Sequence, residues 1–373
     1  MKKKINYGQH HIFKNDLQTI KNSLNENLIT TGPYLEKFEK DLSNFLNVKN
    51  VLVSSSGTSS LHLALMSINL KKNDIIIMPS INFISSYSMA KNIHAKIYLA
   101  DVDKKFGYMT PQNLLDCIKK NKIKKIKAVI IMHHGGFPRY VSEYFQLKKR
   151  YNFFLIEDAC HAFGASYIYN KKKYMVGSCA HSDICTFSFH PLKTITTGEG
   201  GAIVTNSKSI FSKAKLLRSH GIIRNEKKHW DYDIKDLGFN YRLSDINCAL
   251  GISQLKNIKK IINFRKKIYD FYLKRLKKKY YINEFYDEIQ PSFHLVTICS
   301  KLGIKSDKII KKLMNKGIIC QSHYKPIHKF SFFKKKLKLV NAEKFYSRSF
   351  SIPIHLNIKK PQLKLIVDSL NSI

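Results

Sequence analysis

Short apolar segments that alternate with segments of helical periodicity are the feature that most constrains the fold of this chain. Four of them, at residues 75–78, 97–99, 127–132 and 153–156, are almost wholly apolar and are followed within two residues by proline, aspartate, histidine or glutamate. Short apolar strands that alternate with helices are typical of a mainly parallel sheet with helices on both faces. We therefore predict an α/β fold whose ligands bind beyond the carboxyl ends of the strands.

The length of the chain, 373 residues, is sufficient for a large domain and a smaller one. From about residue 250 the character of the sequence changes, because a long lysine-rich helix is followed by weaker strands near residues 295–298 and 318–320 and by a final helix at 363–370. We predict a large domain of residues 1–250, which includes an N-terminal arm, and a small α/β domain of residues 251–373 that closes over the bound ligand.

The formal net charge of +39 has two interpretations. Lysine is spread along the whole chain, and isoleucine and asparagine are also abundant, which is the composition that an AT-rich genome produces. The alternative is attraction of a polyanionic small molecule. No helix-turn-helix, zinc-finger or RNP pattern accompanies the charge, so we expect no specific nucleic-acid partner.

Two further observations bear on location and metal content. The residues after Met1 lack the apolar region of a signal peptide, and no apolar run approaches the roughly 18 residues of a membrane span, so we expect a cytoplasmic protein without a membrane partner. The seven cysteines are scattered without a CxxC pair. This spacing argues against a disulfide framework and a zinc site, and we predict no metal site.

The stretch from Ile184 to Thr205 carries the first candidate for chemistry. Apolar and β-branched residues at 184–189 and 202–205 predict two buried strands, and the loop between them holds Lys193 and the glycine-rich segment 198–201. Desolvation of a lysine in such a loop favours the neutral amine, which can attack a carbonyl and form an imine. The alternative is a surface lysine on a hairpin.

A strand, a turn of small residues and a helix follow one another at residues 51–68. The turn, residues 54–60, consists of five serines, Gly57 and Thr58. Glycine lets the backbone approach a ligand, and the hydroxyl and free N–H groups at a helix start donate hydrogen bonds to an anion. We interpret the turn as a phosphate site that lacks the P-loop lysine; the alternative is an ordinary serine N-cap.

Asp158 ends a buried strand, where a carboxylate is costly unless it meets a cation or several donors. A protonated pyridine nitrogen is such a partner, and His161, about one helical turn further on, is placed to support the carboxylate or to contact the ring substituents. The alternative is an N-cap aspartate followed by a core histidine. Together, a phosphate turn, a buried aspartate and a loop lysine match the groups by which proteins hold pyridoxal 5'-phosphate (PLP). The GxGxxG turn that a dehydrogenase needs is absent after the first strand.

Over nearly its whole length the chain resembles the DegT/DnrJ/EryC1/StrS family of sugar aminotransferases, which are PLP-dependent enzymes of fold type I. The segments that carry the resemblance stand in the family's order and spacing, at residues 31–33, 55–58, 157–165, 187–193, 198–201 and 238–245. The resemblance implies a large domain with a mainly parallel seven-stranded sheet, a smaller C-terminal α/β domain, and a homodimer with active sites at its interface.

The resemblance also implies roles for single residues. Lys193 is the expected Schiff-base lysine, Asp158 the partner of the pyridine nitrogen, and His161 the neighbour of the ring hydroxyl. The rest of the implied cofactor site consists of Ser56, Gly57, Thr58 and Ser188 around the phosphate, Phe83 stacked on the ring, and Asn240 from the other subunit. The residues that we expect to contact the substrate are His190, His323, Tyr324, Lys325 and His328.

Segments at residues 218–221, 323–328 and 342–346 resemble those family members that serve pseudaminic acid synthesis. This implies transfer of an amino group from L-glutamate to the C4 keto group of a UDP-linked 4-keto-6-deoxy-N-acetylhexosamine. Segments 133–138 and 292–296 depart from the usual pattern, so another nucleotide-sugar 3- or 4-aminotransferase, of the perosamine, bacillosamine or aminoarabinose type, stays open. A catalytically silent PLP-fold regulator is the alternative from a different class.

Overall fold

The computed structural model describes residues 4–228, 230–285 and 287–373. The helices are α1 (Lys14–Ser23), α2 (Pro33–Leu46), α3 (Gly57–Ser67), α4 (Ser85–Asn92), α5 (Pro111–Lys120), α6 (Val141–Tyr151), α7 (Lys208–Arg218), α8 (Asp245–Lys256), α9 (Ile258–Leu276), α10 (Ser306–Asn315), α11 (Val340–Arg348) and α12 (Lys360–Asn371). The strands are β1 (Asn50–Ser54), β2 (Ile75–Pro79), β3 (Lys96–Ala100), β4 (Ala128–Met132), β5 (Phe154–Asp158), β6 (Ser166–Tyr169), β7 (Lys172–Met175), β8 (Ile184–Ser188), β9 (Gly201–Thr205), β10 (Ile222–Arg224), β11 (Tyr232–Ile234), β12 (Tyr280–Ile282), β13 (Ile289–Gln290), β14 (Val296–Ser300) and β15 (Ser349–Ile352).

The largest sheet has seven strands in the order β1–β9–β8–β5–β4–β2–β3. Neighbours from β8 to β3 pair in parallel, whereas β9 runs antiparallel to both β1 and β8. This arrangement confirms the predicted α/β fold with a mainly parallel seven-stranded sheet. Because β1, β2, β5 and β8 run in the same direction, their carboxyl ends meet at one edge of the sheet.

Both faces of this sheet are buried, as the wholly apolar strands predict. Along β1, Leu52 lies in one apolar cluster, while its neighbours Val51 and Val53 lie in another. Ile184 and Cys185 on β8 divide between the same two clusters. Successive side chains of a strand point to opposite faces, so two separate cores cover the sheet.

The C-terminal part has its own antiparallel sheet, β12–β14–β15, packed against α9, α10 and α12 in a third apolar cluster. The strand predicted near residues 295–298 is confirmed as β14. The strand predicted at 318–320 is wrong, because Ile318 forms only an isolated bridge to Ile5. Residue 250 lies within α8, whose Cys248 and Ile252 pack in a cluster of the large sheet; the division into two domains stays a prediction.

Within the part of the chain that the structure describes there are two further sheets, β13–β6–β7 and the antiparallel pair β10–β11. Residues 235–244 connect β11 to α8. Within the described residues, no helix combines the length and the apolar character needed to span a membrane.

Candidate active site

A cavity of about 730 Å³ opens where β1, β2, β5 and β8 end. Twelve of the residues predicted for the site line this cavity: Ser56, Gly57, Thr58, Phe83, Asp158, His161, Ser188, His190, Lys193, His323, Tyr324 and Lys325. They come from loops that are far apart in the sequence, and the direction of the parallel strands brings them together. Two predicted residues, Asn240 and His328, are not among the described residues that line the cavity.

Lys193 lies in the loop between β8 and β9, both of which are buried strands as predicted. Its backbone N–H donates to the carbonyl of His190 at 2.8 Å, which closes a turn, and its side chain is partly accessible from the cavity. Burial lowers the pKa of Lys193, although the neighbouring Cys160 and Asp158 act in the opposite direction. The lysine therefore faces a cavity, not bulk solvent, and a lowered pKa enlarges the fraction of neutral amine.

The turn after β1 places the start of α3 in the cavity wall. Ser56 is the N-cap, and its hydroxyl accepts from the N–H of Ser59 at 3.1 Å. Among the described residues, the amides of Gly57 and Thr58 have no hydrogen-bond acceptor. The N-cap and phosphate-site interpretations are thus compatible, because the cap leaves two donors free at a helix N-terminus.

Gly57 is required by the close packing of α3 against β8. A Cβ atom at this position would lie 2.8 Å from Cβ of Ser188 and 3.2 Å from Sγ of Cys160. Both distances are shorter than ordinary contacts between carbon or sulfur atoms. The absence of a side chain therefore brings the α3 amides and the Ser188 hydroxyl to the same part of the cavity.

Asp158 is the last residue of β5 and is 2% exposed. Its Oδ2 accepts a hydrogen bond from the Ser86 hydroxyl at 3.0 Å, and its Oδ1 accepts one from the backbone N–H of Cys160 at 3.3 Å. No lysine or arginine of the described residues forms an ion pair with it. A buried carboxylate with neutral donors only is a suitable partner for a cationic ligand group.

The hydrogen bonds of His161 define its tautomer. Its Nδ1 accepts from the backbone N–H of Gly135 at 3.3 Å, so in the neutral ring the proton is on Nε2. Nε2 donates to the hydroxyl oxygen of Tyr324 at 2.8 Å. Burial lowers the pKa of His161 well below its usual range, and the neighbouring Lys193 and His294 act in the same direction. His161 is therefore a neutral donor.

The segment from His323 to Lys325 forms the wall on the side of the C-terminal sheet. His323 Nδ1 and the hydroxyl of Ser351 on β15 lie 2.8 Å apart, and burial lowers the pKa of His323 to about 3. The ring of Tyr324 lies 5.7 Å from that of Phe83. His323 therefore faces the cavity as a neutral group, and Lys325 is the cation of this wall.

Two predicted residues lie elsewhere. The side chain of His328 is fully buried, and its Nε2 pairs with Oε1 of Glu343 on α11 at 3.2 Å, so the geometry gives no support to a substrate contact. Asn240 is exposed and forms an isolated bridge with Ser219 outside the cavity. A site completed by this residue would need a second copy of the chain.

The structure adds residues that the sequence did not identify. Asn82, Cys160, Glu199 and His294 line the cavity, and the ring of His294 lies 4.4 Å from that of His161. Segments 133–138 and 292–296 had been singled out as departures, and both contact this region: Nε2 of His134 donates to the carbonyl of His323 at 2.8 Å. Their unusual composition was the available signal, but sequence spacing could not show what they touch.

Comparison with known proteins identifies the family. The model of the DegT/DnrJ/EryC1/StrS aminotransferase family matches residues 10–371. The UDP-4-amino-4,6-dideoxy-N-acetyl-beta-L-altrosamine transaminase of Campylobacter jejuni subsp. jejuni serotype O:23/36 is 37% identical over 376 aligned positions, which cover 99% of this chain and 97% of that protein. The GDP-perosamine synthase of Escherichia coli O157:H7 is 29% identical over 341 positions, covering 91% of this chain and 90% of that protein.

Among solved structures, Helicobacter pylori PseC, an aminotransferase involved in the biosynthesis of pseudoaminic acid, superposes with a TM-score of 0.90 at 29% identity, and the match covers 99% of both chains. Family match, relatives and fold agree over nearly the full length. The chain therefore belongs to the DegT/DnrJ/EryC1/StrS aminotransferase family.

Proposed function

We propose that this chain is a PLP-dependent aminotransferase that moves an amino group from L-glutamate to the C4 keto group of a UDP-linked 4-keto-6-deoxy-N-acetylhexosamine, for pseudaminic acid or other surface-glycan synthesis. The observation that carries the proposal is the convergence of Lys193, Asp158 and the N-terminus of α3 on one cavity. The 37% identity to the altrosamine transaminase supports the choice of substrate.

The polar and aromatic groups that line the cavity suit the groups of PLP. The free amides of Gly57 and Thr58 and the hydroxyl of Ser188 suit a phosphate group, and Asp158 suits a protonated pyridine nitrogen. Phe83 is 52% exposed at the cavity, which suits stacking on a flat ring. When bound, PLP supplies an aldehyde that attaches amines covalently and a ring that withdraws electrons.

Lys193 is the residue to which we assign nucleophilic attachment and proton transfer. Because burial lowers the pKa of its side chain, more of the amine is neutral and available as a base. Asp158 favours a positive charge on the ring nitrogen and so keeps the ring electron-poor. Tyr324, whose hydroxyl oxygen accepts from Nε2 of His161, offers its own hydroxyl hydrogen for a ring oxygen, and the neutral state of His161 adds no charge that competes with the ammonium of Lys193.

The nucleotide sugar is assigned to the part of the cavity lined by His190, His323, Tyr324 and Lys325. Lys325 attracts a diphosphate through its charge, and its ammonium lies 5.1 Å from the ring of Phe330, which orients the side chain. His190 and His323 both have pKa values lowered by burial, so they act as neutral hydrogen-bonding groups. We assign no substrate contact to His328.

A homodimer with active sites at the interface is part of the proposal. The segment at residues 232–239 exposes four large apolar side chains: Tyr232, Ile234, Leu237 (84% exposed) and Phe239. Soluble monomers rarely expose a large apolar patch, so a second copy of the chain is the occupant that we infer for it. Asn240 follows this segment directly, and docking of the segment would carry Asn240 toward the partner's cavity.

Other nucleotide sugars are the second candidate, since the similarity to GDP-perosamine synthase extends over 341 positions. A silent regulator is disfavoured, because Lys193 and Asp158 both line the cavity. A cytoplasmic location and the lack of a specific nucleic-acid partner stay predictions.

The test is an absorbance spectrum of the purified protein with PLP, recorded before and after L-glutamate is added. We expect an absorbance band near the visible edge that shifts to shorter wavelength when L-glutamate is added. When the UDP-linked 4-keto-6-deoxy sugar is then supplied, we expect mass spectrometry to detect the 4-amino sugar. A band that glutamate leaves unchanged would refute the amino donor, and absence of any band would refute the enzyme assignment. GDP-linked 4-keto-6-deoxymannose in parallel distinguishes the second candidate.

A further inference from the structure

Three buried side chains form a hydrogen-bond chain that ends on Asp158. Asn82 Nδ2 donates to Ser86 Oγ at 3.2 Å, and the Ser86 hydroxyl donates to Asp158 Oδ2 at 3.0 Å. At its other end, the backbone N–H of Phe83 donates to Asn82 Oδ1 at 2.7 Å. These hydrogen bonds thus link the segment that bears Phe83 to the carboxylate at the end of β5.

The donor of each hydrogen bond in this series can be assigned. A carboxylate accepts only, so the single hydroxyl proton of Ser86 points to Asp158. The lone pairs of Ser86 then require a donor, which is the amide nitrogen of Asn82. The Asn82 oxygen in turn accepts from Phe83, which excludes the flipped amide.

Burial makes the loss of any of these hydrogen bonds costly. Asn82 is 1% exposed, Ser86 0% and Asp158 2%, so water does not replace a lost partner at low cost. A hydrogen bond to a charged group contributes more than one between neutral groups, and it favours the charged form of the acceptor. Ser86 lies in the first turn of α4, on a rigid element.

We infer that Ser86 is a positioning residue that holds the Asp158 carboxylate, charged and oriented, for the ring nitrogen of PLP, and that Asn82 directs the Ser86 proton. This inference rests on the proposed function. Ser86 does not touch the cofactor; it acts through Asp158. Asn82 also accepts from the backbone N–H of Phe83. One connected set of hydrogen bonds therefore joins Phe83, assigned to the face of the PLP ring, to Asp158, assigned to its nitrogen.

The test compares Ser86→Ala with Ser80→Ala. Ser80 is also buried, lies immediately after β2, and its hydroxyl has no hydrogen-bond partner among the described residues, so the two variants remove the same atom and differ in the lost bond. We expect Ser86→Ala to raise the dissociation constant of PLP from the apo-protein about tenfold. We also expect kcat at saturating PLP to fall by about tenfold or more, with KM for glutamate changed less than about twofold. Ser80→Ala stays close to the wild-type protein in both readouts.

Ser86→Cys provides a graded variant of similar size, because a thiol is a weaker donor than a hydroxyl. PLP affinity and kcat that fall in the order Ser, Cys, Ala support the inference. If Ser86→Ala does not fold, the comparison of Ser86→Cys with the wild-type protein is the test, and equal PLP affinity and kcat for these two overturn the inference. The inference is overturned if Ser86→Ala matches Ser80→Ala in PLP affinity and kcat, or if its loss is confined to KM or to thermal stability. A wild-type protein that binds no PLP contradicts the proposed function instead, so the two failures are distinct.

Discussion

Nε2 of His161 and the hydroxyl oxygen of Tyr324 lie 2.8 Å apart, joining the loop after β5 to the C-terminal part of the chain across 163 positions of sequence. Because His161 is the donor, the hydroxyl proton of Tyr324 is free for another acceptor. We therefore expect Tyr324 to donate its hydroxyl proton to a bound ligand, while His161 holds the hydroxyl oxygen in place.

Tyr324→Phe removes that hydroxyl and leaves the Nε2–H of His161 without its partner. We expect the free energy of unfolding to fall by about 1–2 kcal/mol and kcat/KM for the sugar to fall by about tenfold or more. Urea unfolding and steady-state kinetics measure the two effects. Tyr272→Phe is the control for stability, because its buried hydroxyl also has a single hydrogen-bond partner, the carbonyl of Pro353, to which it donates. Equal kinetics for Tyr324→Phe and the wild-type enzyme would argue against a role in the site.

Lys193→Ala removes the amine that we assign to attachment and proton transfer. Turnover is expected to fall at least about 10³-fold, while pyridoxamine phosphate still binds because the phosphate and ring-nitrogen contacts remain. The checks are a coupled assay for 2-oxoglutarate and equilibrium dialysis. Lys325→Ala is the matched control. We expect it to raise KM for the nucleotide sugar and to leave kcat nearly unchanged. Normal turnover by Lys193→Ala would falsify the assignment.

Gly57→Ala places a Cβ atom 2.8 Å from Cβ of Ser188, at the point where α3 approaches β8. We expect a stability loss of about 1–3 kcal/mol and weaker PLP binding, because α3 must move away from the phosphate position. Gly8→Ala is the control: its Cβ would meet Leu192 at 3.5 Å, an ordinary contact, so its stability stays within about 0.5 kcal/mol of the wild-type protein. Thermal unfolding of the apo-protein measures the packing effect without a contribution from ligand binding. Equal stabilities of Gly57→Ala and Gly8→Ala would contradict the predicted clash at Gly57.

Stability should fall as the pH is lowered below about 6.5, because buried histidines titrate at lower pH in the folded protein than in the unfolded chain. Burial lowers the pKa of His134 from 6.5 to about 4. Its contribution is therefore complete above the unfolded pKa and is lost as the pH falls toward the folded one, by about 2 kcal/mol at pH 5.

Urea titrations at pH 7.5, 6 and 5 measure this slope. His134→Gln keeps a donor for the carbonyl of His323 but does not titrate, so its stability should depend less on pH than that of the wild-type protein. An unchanged slope would mean that other histidines carry the effect.

Mixed dimers test the role of Asn240. If each site combines Lys193 of one protomer with Asn240 of its partner, Asn240→Ala and Lys193→Ala homodimers are both impaired. Random reassembly of equal amounts then restores about a quarter of the sites, since heterodimers contain one intact site. A mixture no more active than the Asn240→Ala parent would place Asn240 outside the partner's site.

Much of the site was accessible from local sequence signals. Lys193 and Asp158 were predicted from their positions next to buried strands, and the direction of parallel strands explains why such residues meet. Ser86 was not predicted, because a serine in a helix carries no signal of its own and its partner lies 72 positions away. His328 shows the opposite case: its sequence neighbours line the cavity, but its side chain turns to Glu343.

The sequence alone determined the α/β class, the seven buried strands and the family motifs, because hydrophobic periodicity and motif spacing are local properties that a single chain displays. Only the tertiary structure decided which polar groups meet: the Asn82–Ser86–Asp158 chain, the tautomer of His161, the isolated bridge in place of a strand at Ile318, and the position of Asn240 outside the cavity. These depend on contacts between residues far apart in the chain, and packing of whole elements, not local preference, determines them.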